Sequence, residues 1–257
     1  MGAFVSGLAL TAVKATRLVA VSRIELGELG AEGDRAFCVI DDRDRMINGK
    51  GLGELQSATF AYDAPHGELS LALPDGTGAQ GAVQYGPAIP IRFLSDRRQA
   101  RLVQGPWSEA LSQFFGRPLR LVAPETGVDR GREGAVSIIS RASVQRLAGV
   151  AGADEIDPRR FRMLIEVDGV EPNEEDAWVG REIRIGPARV RVQGNIGRCL
   201  VTSRDPDSGT INLPTLDLLG TYRRDVPTTE PLPLGVYAEV LQGGSVGVGD
   251  AITGEIG

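Results

Sequence analysis

The chain has 257 residues, 42% of them hydrophobic and 24% charged, with a formal net charge of −6. That length supports one large core or two small ones. The acidic balance argues against a nucleic-acid coat or an anionic-membrane binder, whose affinity comes from Lys and Arg on phosphates.

No run of about 18 apolar residues occurs, so no membrane span is expected. Residues 1–14 lack the basic start and the long apolar stretch of a signal peptide, which makes the cytoplasm the default location. Glycine (34) and proline (15) are frequent, which favours many short strands and turns.

In chain order, Ala36, Cys38 and Ile40 alternate with Phe37 and Val39 before the polar turn Asp41 to Asp44, a hairpin pattern. Leu69, Leu71 and Leu73 alternate up to Pro74-Asp75-Gly76. Trp107, Leu111, Phe114 and Phe115 fall on one helical face, and Gly116 stops it. Residues 124–134 are polar and glycine-rich, and they mark a boundary between residues 1–123 and 124–257. A strand over 135–139 follows. Ser140 then opens a helix with Val144, Leu147 and Ala148 inward. Ile183, Ile185, Val190 and Val192 flank Gly186-Pro187 as a second hairpin, and Thr215 opens a third helix with Leu216, Leu219 and Tyr222. Residues 236–241 and 246–252 flank Gly243-Gly244 as a third hairpin. Strands with sparse helices predict a mostly β protein, a barrel or sandwich rather than a doubly wound sheet. No dinucleotide-binding or phosphate-loop glycine motif is present.

The chemistry-bearing residues are few. Two cysteines, Cys38 and Cys199, rule out a disulfide framework. His66 is the only histidine and lies in a turn-like stretch. A Cys/His zinc site or a Ser-His-Asp arrangement would have to use nearly all of these residues. Cys38 sits in plain alternation and reads as core. Cys199 follows Gly194 and Gly197, which permit close approach of another group. It also follows Arg198, a cation that would favour the thiolate. The alternative is a buried apolar cysteine. Arg159, Arg160 and Arg162 precede an apolar strand over 163–167. Arg160 and Arg162, two apart, would share a strand face and offer two forks to an oxyanion, or else pair with Asp154, Glu155 and Asp157 in solvent. Gly33-Asp34-Arg35 and Lys14 form a third basic group.

Taken together and in order, residues 8–18, 33–41, 107–122, 136–147, Arg160-Phe161-Arg162, Arg198-Cys199 with Thr202 and 205–209, and 247–250 resemble the MOSC family, named for the C-terminal domain of molybdenum cofactor sulfurases. The likeness is to members with an N-terminal β-barrel domain, including bacterial relatives of the mitochondrial amidoxime reducing component. The resemblance implies a MOSC-type β-barrel plus a smaller N-terminal β-barrel-like domain. It implies the molybdenum cofactor, a pyranopterin with a phosphate. It makes Cys199 the catalytic residue and metal ligand. It makes Lys14, Arg35, Ser140, Arg160, Arg162, Asn195, Arg198 and Thr202 the cofactor-binding set. Reduction of an N-oxygenated small-molecule substrate, with an electron-donor protein, is the activity it implies. Two alternatives stand beside it. One is a metal-free cysteine enzyme or sulfur carrier working with a sulfur-donor protein through a persulfide or carbon–sulfur chemistry; the other is a non-enzymatic cofactor carrier. Pyridoxal phosphate binding also attaches to the family as a description. The chain departs from the family's opening Pro-Val-Lys-Ser turn at Ala12 and Ala15, and has Met163-Leu164 where Pro-Asn is common.

Overall fold

The computed structural model describes residues 2–93, 96–125 and 131–254. Eight strands hydrogen-bond in the order 252–254, 182–185, 188–197, 233–242, 136–140, 165–168, 4–10 and 19–21. All neighbours run antiparallel except Val136–Ser140 and Ile165–Asp168. A parallel pair needs a long crossover, and helix α2 lies within it (α1, Trp107–Phe115; α2, Arg141–Ala151; α3, Thr215–Tyr222). The sheet curls until Phe4 bridges Ala251 and the Val5 N–H reaches the Asp250 carbonyl at 2.9 Å. Alternation places Val5, Ile138, Ile165, Val167, Ile183, Val190 and Val236 in one aliphatic core. Each such side chain contributes about 1.5–3 kcal/mol when fully buried.

A smaller body has five strands in the order 84–93, 96–104, 120–124, 38–40 and 46–47. A parallel bridge between Arg45 and Arg92 joins its outer strands into a small barrel. Its two faces divide as the alternation of residues 36–40 requires. Cys38 and Ile40 pack with Ile91, Phe93 and Val122, whereas Phe37 and Val39 pack with Trp107, Leu111, Leu69 and Leu71. The last two come from a three-stranded sheet, 59–63, 68–72 and 78–82. Helix α1 ends on Gly116 in the left-handed conformation (φ 63°), and α2 opens on Ser140, whose side chain accepts from the Ser143 N–H. Hydrogen bonding assigns the strands within residues 4–10 and 19–31 to the sheets of the second half, whereas residues 12–17 between them bond to Phe37 and Ala58 of the first. The chain thus begins in the larger body, leaves it, and returns. The expected cut between residues 123 and 124 falls in the strand Arg120–Pro124, and residues 126–130 of the connector lie outside the described residues.

Two expectations are corrected. Residues 236–252 are not a hairpin. The strand Pro233–Gln242 pairs with 136–140 and 188–197, while Gly244–Gly247 crosses to pair with Arg23–Gly27. A side chain at Gly243 would run into the Leu26 carbonyl, so this glycine carries the change of sheet. Nor does a strand present Arg160 and Arg162. Residues Pro158–Phe161 form a 3-10 turn capped by Asp157, Arg162 ends it at φ 56°, and the strand starts at Ile165.

The two bodies meet where residues 48–53 pack on residues 200–209. Arg204 donates to the Gly209 carbonyl at 2.6 Å and to the Lys50 carbonyl at 3.3 Å. Asp207 is held by Arg17 at 2.6 Å and by Arg159 at 2.9 Å. Gly209 has φ 75°, and a Cβ there would overlap the Gly53 carbonyl. Among the described residues no helix is long and apolar enough to cross a membrane. Gly209→Ala combines left-handed strain with a backbone clash, so it is expected to destabilise the protein by at least about 2 kcal/mol. In thermal unfolding this should appear as a Tm lowered by about 5 °C or more.

Candidate functional site

A cleft of about 1210 Å³ lies where the two bodies face one another. Lys14, Arg35, Arg160, Arg162, Arg198, Cys199 and Thr202 all line it. Its basic end is built from tight turns that lock together. After the first strand, the buried Thr11 hydroxyl bonds the Val13 carbonyl at 2.9 Å and meets the Thr16 hydroxyl at 2.8 Å. Thr16 donates to the same carbonyl at 2.7 Å. Ala15 consequently turns left-handed (φ 73°), and Lys14 is presented to the cleft. The Thr16 hydroxyl is committed to this turn, so it does not replace the hydroxyl missing at Ala15. Arg35 is also left-handed (φ 49°), with its N–H on the Thr11 carbonyl at 2.6 Å. Its guanidinium pairs with Asp34 and donates to the Arg162 carbonyl at 2.8 Å. Arg162 in turn donates to the Thr16 carbonyl at 2.6 Å and to Gln56 at 3.3 Å. Left-handed residues with side chains carry a strain of about 1–3 kcal/mol each; three of them, Ala15, Arg35 and Arg162, line this cleft.

The electrostatics follow from burial. Desolvation, then repulsion from Arg35 and Arg162, lowers the Lys14 pKa to about 7. Desolvation and the Arg35 charge lower that of Arg162 to about 9, against a smaller opposing pull from Asp34. Removing charge from water disfavours the charged form. Arg160 is also shifted down by desolvation; it donates to the Arg204 carbonyl at 2.7 Å. Arg159 belongs to a surface network with Asp157 and Asp207 instead, and does not line the cleft. The basic end therefore holds more positive charge than its carboxylate, Asp34, balances.

Cys199 is a free, half-buried cysteine at the start of a 3-10 turn. Its carbonyl accepts from the Thr202 N–H at 3.0 Å and from the Thr202 hydroxyl at 2.9 Å, so Thr202 holds the turn. Arg198 lines the cleft beside Cys199. Its guanidinium donates to the carbonyls of Leu234 (2.7 Å from Nε) and Phe161 (3.0 Å) and approaches the Met163 sulfur at 3.2 Å. It ties the cysteine segment to the Arg160–Arg162 turn. Gly194 and Gly197 do admit close neighbours, but these are Thr229, Tyr237, Glu230 and Pro231 of this chain.

Two expected residues lie elsewhere. Ser140 is fully buried, capping α2 and hydrogen-bonded to Ser143, with its N–H on Glu175 at 3.2 Å. Asn195 is buried and bonds Asp176 at 2.8 Å and the Thr229 N–H at 3.3 Å. Neither lines the cleft. Cys38 is wholly buried, and desolvation pushes its pKa up to about 12. His66 is exposed and paired with Asp63. Sequence reasoning missed Arg98, which lines the cleft from the small barrel with its guanidinium 4.1 Å from the Phe93 ring centroid. It also missed Glu25, Glu28, Leu29 and Glu32, which line the same cleft. Both were illegible because distant segments form them; strand alternation at 96–104 gave no hint of an inward arginine.

A Lys whose folded pKa lies below its unfolded value burdens the fold fully below the folded pKa, and the burden disappears above the unfolded one. Lys14→Met is therefore expected to raise stability at pH 6, with the gain shrinking as pH rises from 7 towards 10.5. Urea midpoints of both proteins at pH 6 and pH 10 check this; an unchanging difference would contradict the shift.

The MOSC domain family matches residues 125–253. The mitochondrial amidoxime reducing component 2 of Rattus norvegicus is 34% identical over 93% of this chain and 80% of its own length. The corresponding protein of Bos taurus is 33% identical over 96% and 82%. The amidoxime-reducing component 1 of Xenopus laevis is 26% identical over 96% and 81%. Among solved structures, the YUAD protein of Bacillus subtilis aligns over 98% of this chain and 94% of that one, at 14% identity and a TM-score of 0.46.

Proposed function

We propose, from the premise that this chain belongs to the MOSC domain family, that it is a molybdenum-cofactor reductase acting on N-oxygenated small molecules. Its relatives are named for amidoxime reduction. The observation that carries the reading is one cleft in which a half-buried thiol and three cations come together, Arg35 with the desolvated Lys14 and Arg162.

The residues present fit the group. A cysteine thiolate is a soft donor suited to a thiolate-ligated metal. Arg35 and Arg162 offer planar forks to a phosphate, and a dianion there would relieve the repulsion that depresses Lys14. The hydroxyl absent at Ala15 removes one donor, and the backbone geometry of the turn keeps Lys14 in place without it. When bound, the cofactor supplies two-electron redox chemistry at the metal.

The protein's part is binding and orientation. Asp34 fixes Arg35, whose contact with the Arg162 carbonyl fixes the second arginine in turn. Arg198 sets the distance between Cys199 and the arginine turn by holding the Phe161 and Leu234 carbonyls. Phe161, Met163 and Leu164 present apolar surface to the cleft and limit water there. Glu25, Glu28 and Leu29 also line the cleft that would take the substrate, and the electrons would come from a separate donor protein.

Protein isolated from a cofactor-competent host is expected to contain molybdenum near one atom per chain. Cys199→Ser should abolish reduction of an N-oxygenated substrate, and Arg162→Gln should lower the metal content. Elemental analysis paired with non-reducing mass spectrometry decides the matter. A metal-free protein, or a Cys199 bearing an extra sulfur atom, would contradict the reading.

A further inference from the structure

The mouth of the small barrel carries a feature that the main cleft does not absorb. A separate hollow of about 330 Å³ lies between Arg45, Arg92 and Arg117, over a floor of Met46 and Ile47 and beside Asn48. We propose that this hollow is a second oxyanion site, which takes a phosphate group or a similar small dianion.

The argument starts from charge. The hollow contains one carboxylate, Asp41, and it is already satisfied. It accepts the backbone N–H groups of Arg43 and Arg45, both at 2.9 Å, and the Arg45 guanidinium at 2.9 Å. The next carboxylate, Asp44, pairs with Arg120 at 2.5 Å. Arg92 and Arg117 are exposed, and among the described residues their side chains make no hydrogen bond or ion pair. Three guanidiniums thus face one carboxylate.

Strand register sharpens this imbalance. Arg92 stands directly opposite Arg97 on the neighbouring strand and bridges Arg45 on its other side. Like charges at cross-strand positions repel, and they weaken a sheet. The fold places this repulsion at the seam where the barrel closes, in a chain whose net charge is −6. A dianion would reverse it.

The donors suit an oxyanion. Two arginine forks can each make two parallel bonds to phosphate oxygens. Asn48 uses its side-chain oxygen on the Lys50 N–H (2.9 Å) and the Gly51 N–H (3.2 Å), which leaves its NH₂ group as a donor. Met46 and Ile47 form a buried apolar floor beneath these donors. Asn48 also lines the main cleft, whereas Lys14, Arg35 and Arg162 do not line the hollow, so the two sites are neighbours with separate cations.

The test uses the full-length protein and inorganic phosphate at low ionic strength. Calorimetric titration of the wild type is expected to show two binding events. Arg92→Gln/Arg117→Gln should weaken one of them at least tenfold and keep the other, which Lys14→Met should weaken in turn. In phosphate-free buffer the single variant Arg92→Gln is expected to melt at or above the wild-type temperature, since it relieves repulsion, and added phosphate should stabilise it less than the wild type. The proposal is overturned if the double variant binds phosphate with wild-type stoichiometry and affinity. It is equally overturned if Arg92→Gln melts well below the wild type without phosphate, because the arginine would then be a structural part of the barrel.

Discussion

The cleft depends on holding Lys14, Arg35 and Arg162 partly out of water and close to one another. Desolvation opposes the charges of Lys14 and Arg162, and the Arg35 charge opposes both. What keeps them together is backbone hydrogen bonding. The Thr11 carbonyl takes the Arg35 N–H, the Arg162 carbonyl takes the Arg35 guanidinium, and the Thr16 carbonyl takes the Arg162 guanidinium. Three residues in left-handed conformations, Ala15, Arg35 and Arg162, are the local consequence. Strain at such positions persists only where the surroundings impose it, and here each turn imposes it on the next.

The rest of the fold can be understood as support for that arrangement. The large curled sheet delivers the first strand and the Arg160–Arg162 turn to the same side, since Phe4–Leu10 and Ile165–Asp168 are paired neighbours. The small barrel then lays residues 48–53 against the loop that follows Cys199, where Gly53 and Gly209 approach too closely for any side chain. Arg198 completes the link from inside by joining the cysteine segment to the Phe161 and Leu234 carbonyls. A loop-borne thiol thereby gains a fixed position from two bodies.

Much of the architecture was legible in the sequence because it rests on local periodicity. The opposite faces of Phe37/Val39 and Cys38/Ile40 were read correctly, as were the hairpin at Gly186-Pro187 and the helix stop at Gly116. The order of motifs also brought Lys14, Arg35, Arg162 and Cys199 forward, and the fold gathers them. What was not legible was whatever needed tertiary knowledge. Ser140 and Asn195 carry polar groups suited to a ligand, yet both satisfy buried backbone and carboxylate partners. Arg160 and Arg162 converge through a 3-10 turn rather than strand alternation, which a stretch of Arg and Phe does not reveal. Adjacency suggested that Arg198 serves the thiol, and it did not reveal that the side chain also holds carbonyls of residues far away in sequence.

An acidic protein with concentrated positive interiors should bind anions strongly only where the fold has placed those charges, and binding should be coupled to protons where a lysine is involved. Sulfate isolates that coupling because it does not titrate near neutrality. The decisive measurement is calorimetric titration of the protein with sulfate near pH 8, in buffers of differing ionisation heat. Lys14, with a pKa of about 7 in the empty cleft, should take up a proton as the anion binds. The observed heat should then vary with the buffer and correspond to uptake approaching one proton. Equal heats in every buffer would contradict the account of the cleft given above.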